Sequence, residues 1–342
     1  MVHKFRGGAS RFPMFAFMGR VPGGMMLIPL ALGIAFGNFA PDALAIGSFT
    51  TALFRDGTLT LIGVLIVATG AQITGSHSGK GAAGTTLVVL LAKTLVPITL
   101  AVVLGLTVGI DGILGVSILA LITIFGNSNG ALWLAFSGQY GDERDRGAYV
   151  ASAFDDGPFL ALIFLGASGL GDIPVLAIVA ALVPFVIGLI IGALDKEWTA
   201  ALMGTAAITI PFMSFCVGTG ISLTNVVTGG SMGIVLGILV VLFTGGLTYL
   251  GYKFLLRRGN QSGIGFAAGT TAGNAVAVPA VVAAADPAFA PFVGAASAQA
   301  AAAVLVTAIL APLTAAFVMK AQGGLKNDVA VTGSIRTSIA SD

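Results

Sequence analysis

Ten long apolar runs fill most of this chain, at about residues 22–40, 57–74, 84–108, 113–137, 147–168, 173–194, 199–221, 229–252, 263–285 and 289–318. A helix crosses the hydrocarbon layer of a bilayer with about 20 such residues. Backbone in hydrocarbon must satisfy its own hydrogen bonds, and these runs are too long and too uniformly apolar for barrel strands. The expected fold class is therefore an all-α membrane protein of about ten transmembrane helices. Composition agrees: 56% of residues are hydrophobic and 9% charged, whereas roughly a quarter are charged in soluble domains. Mean hydropathy is +1.02. Glycines spaced four apart, such as Gly33/Gly37 and Gly188/Gly192, are expected to let neighbouring helices approach closely.

A net charge of +2 gives no reason to expect nucleic acid. Cys216 is the one cysteine, and His3 and His77 are the two histidines, too few for haem, iron–sulfur or zinc ligation. No cofactor, no metal and no enzymatic activity are expected. The placement of basic residues says more. If the N-terminus is cytoplasmic, the inside segments hold Lys4, Arg6, Arg11, Arg20, Lys80, Arg144, Arg146, Lys196, Lys253, Arg257, Arg258, Lys320, Lys326 and Arg336, and the outside loops hold Arg55 alone. That asymmetry places both termini in the cytoplasm. The basic start resembles a signal peptide, but the following apolar run is too long and lacks a small-residue cleavage site. It is expected to remain as the first span, in the inner membrane.

The chain also repeats itself. Thr69-Gly70-Ala71-Gln72-Ile73-Thr74 closes the second run and Thr219-Gly220-Ile221-Ser222-Leu223-Thr224 the seventh, an offset of 150. Gly126-Asn127-Ser128-Asn129-Gly130 interrupts the fourth run and Gly269-Thr270-Thr271-Ala272-Gly273 the ninth; Ala151-Ser152-Ala153 in the fifth recurs as Ala296-Ser297-Ala298 in the tenth. The expected organisation is a basic segment 1–20, a five-helix half 21–170, a second half 171–319 and a tail 320–342. Because five is odd, the halves are inverted, a common plan in secondary transporters.

Polar, glycine-rich backbone at membrane depth is tolerated where it is buried in protein or lines a cavity. Two such breaks at matching places point to a binding site between them, where half-helix N-termini attract anions. Asn127, Ser128, Asn129, Thr270, Thr271 and Asn274 suit a polyhydroxylated ligand; the competing role for their side chains is interhelical hydrogen bonding. Ionisable residues inside spans are costly and usually functional. They are Lys93, Asp155 and Asp156, and Asp155-Asp156-Gly157-Pro158 lies near the cytoplasmic third of the fifth run, with Pro158 expected to free a carbonyl one turn earlier. Burial disfavours a charged carboxylate, so either acid could exchange a proton near neutral pH; alternatively one of them pairs with Lys93. Lys93 could also meet a ligand carboxylate. His77 and Asp142-Glu143-Arg144-Asp145-Arg146 are expected to be solvated loop residues.

These residues resemble the bacterial 2-keto-3-deoxygluconate permeases from about Val21 to Val318. The matching stretches are Val21-Pro22-Gly23-Gly24-Met25-Met26-Leu27, Asn129-Gly130-Ala131-Leu132, Gln139-Tyr140-Gly141, an acid at 155 followed by Gly157-Pro158, and Ala272-Gly273 with Ala275-Val276-Ala277 and Pro279. The resemblance implies a proton symporter of 2-keto-3-deoxygluconate. It also implies kinship with the bile-acid-transporter and sodium/proton-antiporter fold, in which a panel domain moves against a core domain. Asp155 occupies the family's acidic position and is the expected proton carrier. A longer N-terminal extension and the second carboxylate, Asp156, depart from the pattern.

The partners expected are a small sugar-acid anion and membrane lipid, with the proton as coupling ion and sodium as the alternative. A sodium-coupled carrier of another organic anion, a passive channel and an intramembrane aspartyl protease are the rival readings. The last is disfavoured because adjacent helical residues diverge by about 100°, so Asp155 and Asp156 would not face one substrate. The topology is testable. Reporter fusions after Gly141 and after Arg258 should read cytoplasmic and one after Gly171 periplasmic; a periplasmic signal after Arg258 would contradict the ten-helix count.

Overall fold

The computed structural model describes residues 13–20, 24–75, 82–221 and 223–324. His77, Lys80, Ser222, the Val21-Pro22-Gly23 opening, the first twelve residues with their basic side chains, and the tail from residue 325 lie outside the described residues. Within them the regular elements are helices, with a single bridge between Ile113 and Val116.

Five stretches are long and apolar enough to cross a membrane: Ala82–Val108, Val175–Leu194, Gly229–Leu255, Gly259–Ala285 and Pro287–Ala321. Two bent pairs, Ser48–Phe54 with Thr58–Gln72 (61°) and Lys196–Leu202 with Ala207–Thr219 (47°), raise that number to seven. The other apolar runs form shorter helices. Run 113–137 divides into Ile118–Phe125 and Gly130–Tyr140, and run 147–168 into Tyr149–Phe154 and Phe159–Ser168. The second division is a complete break at the place where Pro158 was expected to free a carbonyl. Gly157 adopts φ +144°, a conformation that needs the absence of a Cβ, and Pro158 then serves as N-cap of the next helix.

Close glycine contacts pair four of the helices. Gly24–Phe39 packs on Thr205–Thr219, and Thr58–Gly75 on Val175–Leu194. A Cβ on Gly33 would come within 2.1 Å of the Phe215 carbonyl oxygen, and one on Gly188 within 2.2 Å of that of Val67. The expected small-residue approach is therefore backbone against backbone at these crossings. Two π-helical turns, Leu90–Leu95 and Val240–Gly245, lie 150 residues apart. The first sets Lys93 and Thr94 into the interior, both fully buried.

The charged cluster at 142–146 is solvated only in part: Arg144 and Arg146 are exposed as expected, whereas the two aspartates are drawn into an ion-pair cluster. Asp145 is fully buried and Arg258 nearly so. One guanidinium serves two carboxylates: Nη1 and Nη2 donate to Asp142 Oδ2 (2.8 Å) and Oδ1 (3.0 Å), and Nη2 lies 2.5 Å from Asp145 Oδ1. The Tyr252 hydroxyl donates to Asp145 Oδ1 (3.1 Å) and the Trp133 indole to the Asp145 carbonyl (2.8 Å). Local sequence could not reveal this, because Arg258 is 116 residues from Asp142.

Hydrogen bonding from Arg258 holds the Asp142 carboxyl well below the usual carboxylate range. A depressed carboxylate stabilises the fold above its unfolded pKa of about 4, and that contribution disappears as pH falls through the folded value. Arg258→Met should leave Asp145 buried without its cation, a loss on the order of 3–5 kcal/mol. A thermal melt of the variant in detergent checks this, and an unchanged transition would contradict the clasp.

Candidate functional site

The two glycine-rich breaks meet and exchange hydrogen bonds. The Ala272 amide donates to the Asn127 carbonyl (3.2 Å), and the Asn129 amide to Thr270 Oγ1 (3.0 Å). Thr271 donates from Oγ1 to the Ile124 carbonyl (3.0 Å), and its amide donates to Thr307 Oγ1 (3.0 Å). Each break thus supplies partners for backbone that the other interrupts, as membrane depth requires.

The third break, at 155–158, is tied into the same knot. Asn127 donates to the Thr123 carbonyl (2.9 Å) and accepts from the Gly157 amide (3.1 Å). Asp155 is fully buried. Its Oδ1 accepts from the Ser128 amide (3.1 Å), and its Oδ2 from the hydroxyls of Ser128 and Thr94, each at 2.5 Å. Lys93 donates to the Phe125 carbonyl (2.6 Å), at the C-terminal end of the Ile118–Phe125 half-helix. A cation there is favoured by the half-helix dipole. Among the described residues the ion pairs within 4.0 Å do not include Lys93 with either acid.

A cavity of about 370 Å³ opens beside this knot, lined by Ser128, Asn129, Tyr149, Ser152, Asp156 and Asn274, with Thr69 and Gln72 facing them. Gly130, the first residue of an 11-residue helix capped by the Asn129 side chain, also lines it. Asn274 donates to Asp156 Oδ1. The neighbouring acids therefore face different surroundings: Asp155 is held inside the knot and Asp156, half-buried, borders the cavity.

The nine residues singled out from the sequence, joined by Thr94, gather in one region but divide in role. Ser128, Asn129, Asn274 and Asp156 reach the cavity; Asn127, Thr270 and Thr271 spend their polar atoms on the crossing; Asp155, Thr94 and Lys93 lie behind it. Thr69, Gln72, Tyr149 and Ser152 were missed as lining residues. The repeat Thr69-Gly70-Ala71-Gln72 was the available signal for the first two. Nothing local marks Tyr149.

The chain matches the profile of the 2-keto-3-deoxygluconate permease family over residues 15–324. It is 43% identical over 306 residues to 2-keto-3-deoxygluconate permease 1 of Salmonella typhimurium, covering 89% of this chain and 94% of that one. It is 37% identical over 308 residues to the 2-keto-3-deoxygluconate permease of Bacillus subtilis, covering 88% and 92%. The 2-keto-3-deoxygluconate permease of Xanthomonas oryzae pv. oryzae is 36% identical over 303 residues, covering 87% and 94%.

The division of roles predicts a division of effects. Thr271→Ala orphans the Ile124 carbonyl and should lower stability by about 1–3 kcal/mol, while leaving ligand affinity within about threefold, since no cavity-lining group is lost. Thermal melts and ligand titrations of the purified variant separate the two; a large affinity loss with an unchanged melt would reverse the assignment.

Proposed function

The chain belongs to the 2-keto-3-deoxygluconate permease family, and from that premise we propose that it carries 2-keto-3-deoxygluconate, or a similar sugar-acid anion, across the inner membrane together with a proton. It is a multi-pass membrane transporter and not an enzyme. The observation that carries the proposal is the cavity at the crossing. It joins a half-helix N-terminus, hydroxyl and amide side chains, and one half-buried carboxylate, Asp156. A ligand with a carboxylate, a ketone and several hydroxyls matches those groups: helix amides for the anion, and side-chain amides and hydroxyls for the rest. A volume of about 370 Å³ is ample for a molecule of that size.

Asp156 exchanges the coupling proton in this reading, because it borders the cavity from which both solutes arrive. Asp155 and Lys93 hold the crossing behind it. The two adjacent acids also share titration, since ionising one disfavours ionising the other. The transport architecture proposed is ten spans in two inverted halves, 21–170 and 171–319, with segments 1–20 and 320–342 cytoplasmic. Three structural pairs support it: the π turns at Leu90–Leu95 and Val240–Gly245, the two bent helix pairs, and the reciprocal packing of Gly24–Phe39 on Thr205–Thr219 and Val175–Leu194 on Thr58–Gly75.

Uptake of labelled 2-keto-3-deoxygluconate into vesicles tests the proposal. An imposed inward proton gradient should drive accumulation, equally well when choline replaces sodium. In Asp156→Asn, accumulation should collapse to simple equilibration while exchange of labelled for unlabelled substrate survives, because the neutral form is fixed. Proton-driven accumulation that persists in that variant would contradict the assignment, and accumulation that needs sodium would favour the sodium-coupled reading.

A further inference from the structure

An anion enters a cavity whose lining contains a carboxylate and, among the described residues, no lysine, arginine or histidine. Lys93, the basic residue behind the crossing, is fully buried and donates to the Phe125 carbonyl instead. Something else must therefore make the site attractive to a negative charge. The start of the Gly130–Tyr140 helix helps, but Asp156 opposes it at the same cavity.

Asn274 lines the same cavity as both. Its residue is 6% exposed; its Nδ2 donates to Asp156 Oδ1. Its Oδ1 has no hydrogen-bond partner although it is buried, and the residue lines the cavity. A buried, unpartnered acceptor costs about 1–3 kcal/mol, so this oxygen is available to a hydrogen-bond donor. A side-chain amide is also reversible: it has a donor end and an acceptor end, and its terminal torsion is broad and roughly two-fold.

We infer that Asn274 relays the protonation state of Asp156 to the substrate's carboxylate by turning over its amide. When Asp156 is ionised, the amide nitrogen points at it and the buried carbonyl oxygen is left without a partner, so the side chain offers an anion no donor. When a proton joins Asp156, its new O–H donates to Asn274 Oδ1. The amide turns over, and its N–H then faces the ligand and donates to the carboxylate beside the Gly130 helix start. Release reverses the order: the proton leaves Asp156, the amide turns back, and the anion loses a donor. Proton and anion thereby bind together or not at all. The inference rests on the substrate reading above and specifies how one residue enforces its coupling, so Asn274 acts as a positioning residue.

The groups able to modulate the titration are Asp155, adjacent in the chain and bonded to Thr94 and Ser128; Tyr149, on the same cavity; and Lys93, which interacts electrostatically with Asp155. None of them contacts the Asn274 amide within the hydrogen bonds of the described residues.

Equilibrium binding of labelled 2-keto-3-deoxygluconate to the full-length protein in nanodiscs, followed from mildly acidic to mildly alkaline pH, tests this. Wild-type affinity should weaken about tenfold per pH unit above the Asp156 titration, the slope for one obligatory proton. Asn274→Leu, which has no amide, should flatten that slope to less than about threefold per unit, and Asp156→Asn should abolish it. Asn274→Ser, whose hydroxyl can both accept and donate, should bind more weakly yet keep the slope, and it decides the matter if the leucine variant binds too little to measure. A full slope in Asn274→Leu, or a flat one in a binding-competent Asn274→Ser, overturns the relay while leaving the transport reading intact. Absence of binding by the wild-type protein at every pH would overturn both.

Discussion

Backbone that leaves a helix inside a membrane has to find hydrogen-bond partners in the protein, since lipid offers none. Here the partner of each broken helix is another broken helix. The Asn127 carbonyl receives the Ala272 amide, Thr270 receives the Asn129 amide, and Asn127 in turn accepts from Gly157. The exchange fixes where three interrupted runs meet, and it requires their polar side chains to be divided between the knot and the cavity beside it. One arm of the crossing, the Ile118–Phe125 half-helix, is itself embedded in the apolar core through fully buried residues that include Ile118, Leu119 and Ile124.

The same constraint separates two adjacent carboxylates. Asp155 accepts from three donors inside the knot, whereas Asp156 meets Asn274 at the cavity, which is why the proposed proton exchange is assigned to Asp156 and not to Asp155. Lys93 caps the C-terminal end of the half-helix that approaches the crossing from one side, and the Gly130 helix start leaves it on the other. Positive charge is thereby kept behind the site, while the site itself offers a helix N-terminus and a titratable acid. Under the proposed coupling, an anion carrier built this way depends on the proton for its affinity. Glycines at the Gly33–Phe215 and Gly188–Val67 crossings meanwhile keep the four flanking helices in backbone contact, and their packing carries the wall that faces Asp156 through Thr69 and Gln72.

Much of this was legible in the residues, and the exceptions follow a rule. The helical membrane class and the breaks at 126–130 and 269–273 were evident because apolar length and glycine-rich interruptions are local properties. At 155–158 the proline signalled a freed carbonyl, but a single proline between Phe154 and Phe159 does not announce that Gly157 will adopt a positive φ. Side-chain direction was not legible. Thr270 and Thr271 have the same chemistry as ligand-binding residues, and only the crossing shows that their hydroxyls face its backbone. Asp145, within the 142–146 cluster, departs in the opposite sense, while Arg144 and Arg146 are exposed as expected. The cluster's composition is that of a solvated loop, and the partners of the buried Asp145 are Arg258 and Tyr252, more than a hundred residues along the chain. Patterns set by neighbours in sequence were readable; patterns set by neighbours in space were not.

The central claim is that the crossing of broken helices creates the binding site, and a structure of the protein with 2-keto-3-deoxygluconate bound at acidic pH addresses it most directly. The account predicts ligand density between Asn274, Asp156 and Ser128, with the carboxylate directed at the Gly130 end of its helix. Ligand density in one of the apolar surface grooves, such as that lined by Pro97, Leu104 and Phe243, with the crossing empty, would contradict it.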